Sequence, residues 1–508
     1  MSMRRDRRRR PIQGPNGLVT SAAKRKGSTC RQDDNSPSVK KLRYSGPSLP
    51  EDIWHHIHSL MRLRDAARAA CVSHSFLSSW RCYPNLTITK KTLGLKGGKY
   101  GRSFKISSGL ARKTDHILKN HSGSGVKVLK LQIHDFPMFS TSCDLDRWLH
   151  IAVKPGIEEL DLCLDLHSRD AAVYNFPCPL LLDGRGKSIH RLHLRNCVFR
   201  PTAGLCSLTS LTSLDLCDVR ITGDELGYLA TSVALENLRL MSCYELLFLK
   251  IPSLLQRLRC LIINDCENLK VVDSKAPNLY SFLYIGKLVR LSLGDSLRDF
   301  KVSGSGSDFV HYACENLPGM LPNLEALNIS SRYMRDTLVI PGKLLHLQLL
   351  CIRYFTPDYD YFSLVSLLDA CPSLETFILY VEPDCVVQES ILVDSSRDLR
   401  HMPPGHSYSN IKDVEIFGFC SARSLVEMTC HIIENAKSLE WLTLNTVDNT
   451  EFMCSNGRYD ECSEMSRDMI IEAHKALLVV ERYIVEKVAS SVEFKVVEPC
   501  SRCNPLEI

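Results

Sequence analysis

One six-residue pattern, apolar-x-x-apolar-x-apolar, returns eleven times between Val126 and Leu444. It reads VKVLKL (Val126–Leu131), IEELDL (Ile157–Leu162), IHRLHL (Ile189–Leu194), LTSLDL (Leu211–Leu216), LENLRL (Leu235–Leu240) and LRCLII (Leu258–Ile263). It resumes as LEALNI (Leu324–Ile329), LQLLCI (Leu347–Ile352), LETFIL (Leu374–Leu379), IKDVEI (Ile411–Ile416) and LEWLTL (Leu439–Leu444). Alternation over the last three positions makes a short strand whose apolar side chains all point one way. No single copy can bury that face alone, so the copies must stack into a parallel sheet over one continuous core. At 508 residues the chain is also too long for one core of ordinary size, and a repeat array resolves that.

From Leu194 the closing residues fall at 216, 240 and 263, steps of 22, 24 and 23. Those steps lie inside the roughly 20–29-residue period of leucine-rich repeats, which the pattern resembles. Elsewhere the step widens, to 31 between Leu131 and Leu162, which implies inserted loops. Cys197, Cys243 and Cys266 each stand three residues after a closing Leu or Ile. That is the Asn/Cys position of the repeat, where a small side chain turns the strand and satisfies backbone groups. One cysteine per repeat with no second pair beside it argues against a metal site. Between Leu279 and Val302 the segments LYSFLY, LVRLSL and LRDFKV lie too close together for three full repeats. If the leucines face the core, the residues between and after them face outward. Stacking then aligns His193, Asp215, Arg239 and Ile262 in one row and Arg195, Cys217, Met241 and Asn264 in the next. Of these, His193, Arg195, Asp215, Arg239, Met241 and Asn264 are the candidate contacts for a target protein.

Upstream, SLPEDIWHHIHSLMRLRDAARAACVSHSFLSSWRCYPNL (Ser48–Leu86) carries more apolar surface than so short a segment can bury. Ser48 and Glu51 fit a capping box with Pro50 in the first turn, and Leu49, Ile53, Ile57, Leu60 and Met61 share a helical stripe. Asp65 is placed to cap a second helix (Ala66–Cys71) and Ser73 a third, ending near Trp80. The segment resembles an F-box through Leu49-Pro50, Ile53, Ile57, Leu60, Arg64-Asp65, Val72-Ser73 and Trp80. It departs at Phe76, near which many plant F-boxes carry Trp. The resemblance implies docking onto a Skp-type adaptor, and through it a cullin, by Leu49, Pro50, Ile53, Ile57, Leu60, Leu63, Ala66, Val72 and Trp80. A second resemblance covers His406–Leu444, which looks like the FBD-type segment that ends many plant F-box/leucine-rich-repeat proteins. It rests on Ile411, Val414, Ile416, Gly418-Phe419, Ile433–Ala436 and Leu439. Ser466–Val488 has helical period and reads as a cap.

The net charge of +6 divides unevenly: residues 1–45 carry +10 and the remainder −4. An acidic body argues against a nucleic-acid-binding domain, whose cations would spread over a folded face. The tail is rich in Arg, Ser, Gly and Pro, and its composition predicts disorder. Lys24-Arg25-Lys26 and Lys40-Lys41-Leu42-Arg43, thirteen residues apart, resemble a two-part nuclear import signal. The start MSMRRDRRRRP lacks the apolar run of a signal peptide, and no segment reaches the roughly 18 apolar residues of a membrane span. The expected location is the nucleus, with the cytoplasm as the alternative, and the 22 cysteines are expected as reduced thiols.

Chemistry-bearing motifs fail one by one. Gly184–Ser188 (GRGKS) imitates a phosphate loop, but Leu181 stands where its first glycine belongs and a strand follows. The glycine-rich runs His121–Gly125 and Ser303–Ser307 read as loops. His55, His56 and His58 lack completing ligands and read as an exposed helix face. Cys500 and Cys503 form a lone CxxC. No cofactor, metal, membrane or direct nucleic-acid contact is expected. The sequence therefore reads as an α/β chain. Residues 1–45 are a basic tail, 46–88 a three-helix F-box and 89–120 a linker. Residues 121–460 form a leucine-rich-repeat solenoid that includes the FBD-like segment 406–444, and 461–508 form a helical cap. The resemblance implies a non-catalytic substrate receptor of a Skp–cullin–F-box ubiquitin ligase. A nuclear scaffold or transcription-associated protein that binds the adaptor without ligase assembly is the alternative.

Overall fold

In the computed structural model, fifteen short strands pair side by side, every pair parallel, from Asn85–Ile88 at one end to Glu493–Val497 at the other. The structure describes residues 49–95, 103–121, 125–134, 142–165, 173–182, 184–203, 208–304, 307–331, 341–355, 359–382, 387, 389–393, 399–400, 407–447 and 465–500. From Pro50 onward the chain is one unit. Met1–Leu49 forms another, of which only Leu49 is among the described residues.

The apolar-x-apolar alternation sets the register. Leu192, Leu214, Leu238, Leu261, Phe282 and Phe300 line one buried row, and Leu194, Leu216, Leu240, Ile263, Tyr284 and Val302 line the next. After four of these strands the backbone turns through a left-handed residue that is not glycine: Asn196, Asp218, Ser242 and Asp265. Each immediately precedes a buried residue, Cys197, Val219, Cys243 or Cys266. The Cys243 thiol points at the carbonyls of Leu216 (3.7 Å) and Met241 (3.6 Å), and Cys266 repeats this with Leu240 (3.8 Å) and Asn264 (3.7 Å). The ladder role expected for these cysteines is therefore the one they have. Burial pushes the Cys197 thiol up to about 12.

The congested stretch 279–302 resolves into two repeats. Ser281–Ile285 and Asp299–Gly304 join the main sheet. Arg290–Ser292 instead joins a second parallel sheet on the other side of the core, with Val271–Ser274 and Phe248–Ile251.

Ten α-helices occur among the described residues. Glu51–Leu60 (α1), Leu63–Ala69 (α2) and His74–Arg81 (α3) precede the sheet. Ser103–Asn120 (α4), Ser142–Ala152 (α5) and Gly223–Gly227 (α6) accompany its first part. Ser307–Met320 (α7), Val365–Asp369 (α8), Arg423–Asn435 (α9) and Arg467–Val479 (α10) accompany the second.

Two boundaries differ from expectation. Ser103–Asn120, expected within a linker, is a helix of the repeat array. The sheet already begins at Asn85, and α4 packs on α5 as the helix of a first repeat. His121, at its end, hydrogen-bonds the Tyr83 carbonyl (2.8 Å). At the other end, Ser466–Val488 is expected as a helical cap; Ser466 caps α10, but the segment is a whole repeat. Its helix continues through a π turn (Val480–Ile484), and Glu493–Val497 then pairs with Trp441–Asn445. The sequence pattern missed that strand because Ser491 stands where the other copies open with an apolar residue.

Candidate partner-binding surfaces

The first surface is built by α1 and α3. Ser73 caps α3 by accepting from the Phe76 N–H (3.1 Å), as its position implied. Glu51 makes a different contact from the expected capping box: its carboxylate accepts from Ser78 (3.1 Å) and ties α1 to α3, while Ser48 lies outside the described residues. Asp65 sits inside the first turn of α2, which begins at Leu63, so it does not cap that helix. His58 is the larger correction. It is 1% exposed, not on an open face: its Nδ1 bonds the Trp54 carbonyl (2.9 Å), and its ring meets Phe76 edge-on at 5.3 Å, as Trp54 does at 4.7 Å.

The inward face of α1 is thus aromatic and the outward face aliphatic. Ile53 (41%), Ile57 (37%) and Leu60 (75%) are exposed, as are Leu49 (36%) and, after α2, Val72 (77%). Burying such side chains is worth about 1.5–3 kcal/mol each, so this inversion leaves an apolar face open that the described residues do not cover. Two residues expected on that face are elsewhere. Leu63 and Ala66 are buried in the chain's own core, where α2 meets the sheet, so they hold the helices together. Trp80 is half-buried against the same core.

The second surface is the open face of the main sheet. Pairing aligns His193, Asp215, Arg239 and Ile262, and beside them Arg195, Cys217, Met241 and Asn264, in the two rows the alternation implied. This half of the face is electrostatically self-sufficient. Lys130 lies 3.4 Å from Glu159, His193 3.1 Å from Asp161, Arg239 3.7 Å from Asp215, Arg195 3.7 Å from Asp218 and Lys301 3.1 Å from Asp299. The Asp161 carboxylate holds the His193 imidazole above its ordinary pKa. Further along, Arg353 lies over the Tyr380 ring (4.3 Å), which stacks on Phe417 (4.5 Å, 13°). No spacing rule pointed to that stack, because its three members sit on three separate strands. The import residues Lys24, Arg25, Lys26, Lys40, Lys41 and Arg43, together with Cys503, lie outside the described residues. Among the described residues no cluster of His, Cys, Asp or Glu could hold a metal ion, and no helix is long and apolar enough to cross a membrane.

Residues 117–501 match the At1g61320/AtMIF1 LRR domain, and residues 47–86 match the F-box domain. The chain belongs to the At1g61320/AtMIF1 leucine-rich-repeat family and carries an F-box at its N-terminal side. Among solved structures it is similar to the Leptospira interrogans LRR protein LIC12759, at 13% identity over 66% of this chain and 93% of that one, with a TM-score of 0.24. No curated protein matches it. The pairing of an F-box with leucine-rich repeats is typical of non-catalytic adaptor and receptor proteins.

Proposed function

We propose that this protein is the substrate-receptor subunit of a Skp–cullin–F-box ubiquitin ligase. The F-box takes the Skp-type adaptor and, through it, a cullin; the open face of the solenoid takes a target protein. Ubiquitin transfer then follows from proximity to the charged conjugating enzyme, and this chain catalyses no step. The observation that carries the reading is α1, with aromatic residues turned in and Ile53, Ile57 and Leu60 turned out. The basic tail serves nuclear import in this reading. A fluorescent fusion lacking residues 1–45 should leave the nucleus without a change in the unfolding midpoint.

The adaptor interface has a direct test. Leu49→Ala with Leu60→Ala removes two exposed anchors, and adaptor affinity should fall at least tenfold, about 1.4 kcal/mol or more, while the unfolding midpoint stays put. Undiminished adaptor capture by this variant would defeat the assignment. Capture of the adaptor without a cullin would leave the scaffold alternative instead.

A further inference from the structure

Two acidic side chains on the open face break the pattern of the rest. Asp413 and Glu415 point outward from the strand Asp413–Phe417, and both are half-buried. Among the described residues neither side chain makes an ion pair or a hydrogen bond; Lys495, two strands along the same row, only partly offsets the rise of the Glu415 pKa and forms no ion pair with it. By contrast, Glu159, Asp161, Asp215 and Asp299 each face a cation across the sheet or along the strand. Burial raises the pKa of Asp413. It does the same to Glu415, with Asp413 adding to the rise. A half-buried carboxylate without an ion-pair partner is costly to keep, and a binding partner that supplies a close cation removes the cost.

The neighbours show what that partner must look like. In register with Asp413 on the next strand stands Trp441, 47% exposed, its indole N–H donating to Glu493 (3.2 Å) at the rim. Ile378 and Thr443 flank Glu415 in its row. An indole beside two carboxylates suits a lysine or arginine side chain, whose stem packs on the ring while its charge meets the acids. A phosphate or an acidic peptide would be repelled.

We infer that the open face around Asp413, Glu415 and Trp441 is where a basic segment of the target protein docks, with a lysine or arginine side chain lying between the indole and the two carboxylates. The inference rests on the receptor reading for its biological setting, but its test does not. The probe is a fluorescein-labelled octapeptide of alternating lysine and leucine, read by anisotropy against the full-length chain, with the glutamate–leucine octapeptide as its counterpart. The lysine peptide should bind, more weakly as salt rises, and the glutamate peptide should not. Asp413→Asn with Glu415→Gln should weaken the lysine peptide at least tenfold, and Asp215→Asn less than twofold. The unfolding midpoint of the double variant should stay level or rise, because both substitutions remove a half-buried charge that no ion pair offsets. Binding by the double variant within twofold of the parent, or a fall in its midpoint, overturns the proposal. Adaptor and cullin capture by the same variants reports separately on the receptor reading.

Discussion

The two ends of the sheet solve one problem by different means. From Arg191 to Ile285 the strands begin at residues 191, 213, 237, 260 and 281, so consecutive repeats have nearly equal length. Here the first four repeats are closed by local chemistry: a left-handed residue, a small buried side chain behind it and, from Phe248 to Ser292, a second sheet. From Ala326 onward the strands begin at 326, 349, 376, 413, 441 and 493, and helices α8, α9 and α10 fill the far side. Buried apolar side chains of these helices close the longer repeats, and one of them adds a long-range polar contact. Arg400, from the connection between the strands Thr376–Val381 and Asp413–Phe417, reaches Glu427 on α9 at 2.5 Å and Asp360 at 2.7 Å, and lies over the Phe362 ring at 4.8 Å. The short repeats thus close with their own sequence neighbours, whereas the connection before Asp413–Phe417 closes on residues far from it in the chain.

The largest expected effect tests that long-range closure. Glu427 is 1% exposed, with Arg423 more distant at 3.9 Å. Arg400→Ala should therefore cost about 3–5 kcal/mol in denaturant unfolding, because it leaves a buried carboxylate without its main partner. Adding Glu427→Gln should restore a good part of the loss. If Arg400→Ala costs no more than an ordinary surface change, that connection is not held as described.

A second test compares the turn after the strand in the two regions. Gly418 occupies it in the long repeat of Asp413–Phe417 with φ +70°, and a Cβ there would sit 2.3 Å from the Val381 carbonyl oxygen. Gly418→Ala combines that backbone collision with the strain of a left-handed alanine and should cost about 2–4 kcal/mol. At the equivalent turn of a short repeat, Asp218 already adopts φ 53° with a side chain, so Asp218→Gly should change stability by about 1 kcal/mol or less. Comparable losses at both positions would erase the distinction.

The contrast also explains what was legible beforehand. Where period and chemistry coincide, as at Leu194, Leu216, Leu240 and Ile263, strand, register and outward rows follow from the residues alone. The F-box helices were legible for the same reason: Ser73 and the apolar spacing are local signals. His58 was not, because only the arrival of Phe76 from α3 converts a histidine on α1 into a core residue. Leu63 and Ala66 were assigned outward because their packing onto the sheet is equally non-local. Arg290–Ser292 has the composition of a main-sheet strand and is diverted by the shortness of its neighbours' connections. The unpaired state of Asp413 and Glu415 is the least visible feature of all, since it depends on which cations the adjacent strands fail to supply.

The smallest expected effect separates the two halves of the open face by pH. His193 has a folded pKa raised by Asp161, so its contribution to stability is complete below the unfolded value of about 6.5 and fades as pH rises through the raised one. Glu415, raised mainly by burial, is a liability while ionised. As pH falls through its raised folded pKa toward the unfolded value of about 4.3, the folded state takes up the proton first and gains stability. Both groups therefore favour the folded chain as pH falls, but in separate windows, one ending near neutrality and one in mild acid. Both side chains are partly open to solvent, so each effect should stay below about 1 kcal/mol. Denaturant midpoints recorded from pH 8 to pH 4 should show the upper window vanish in His193→Gln and the lower one shrink in Glu415→Gln. If His193→Gln alters the acid window instead, the paired and unpaired halves of the face have been drawn the wrong way round.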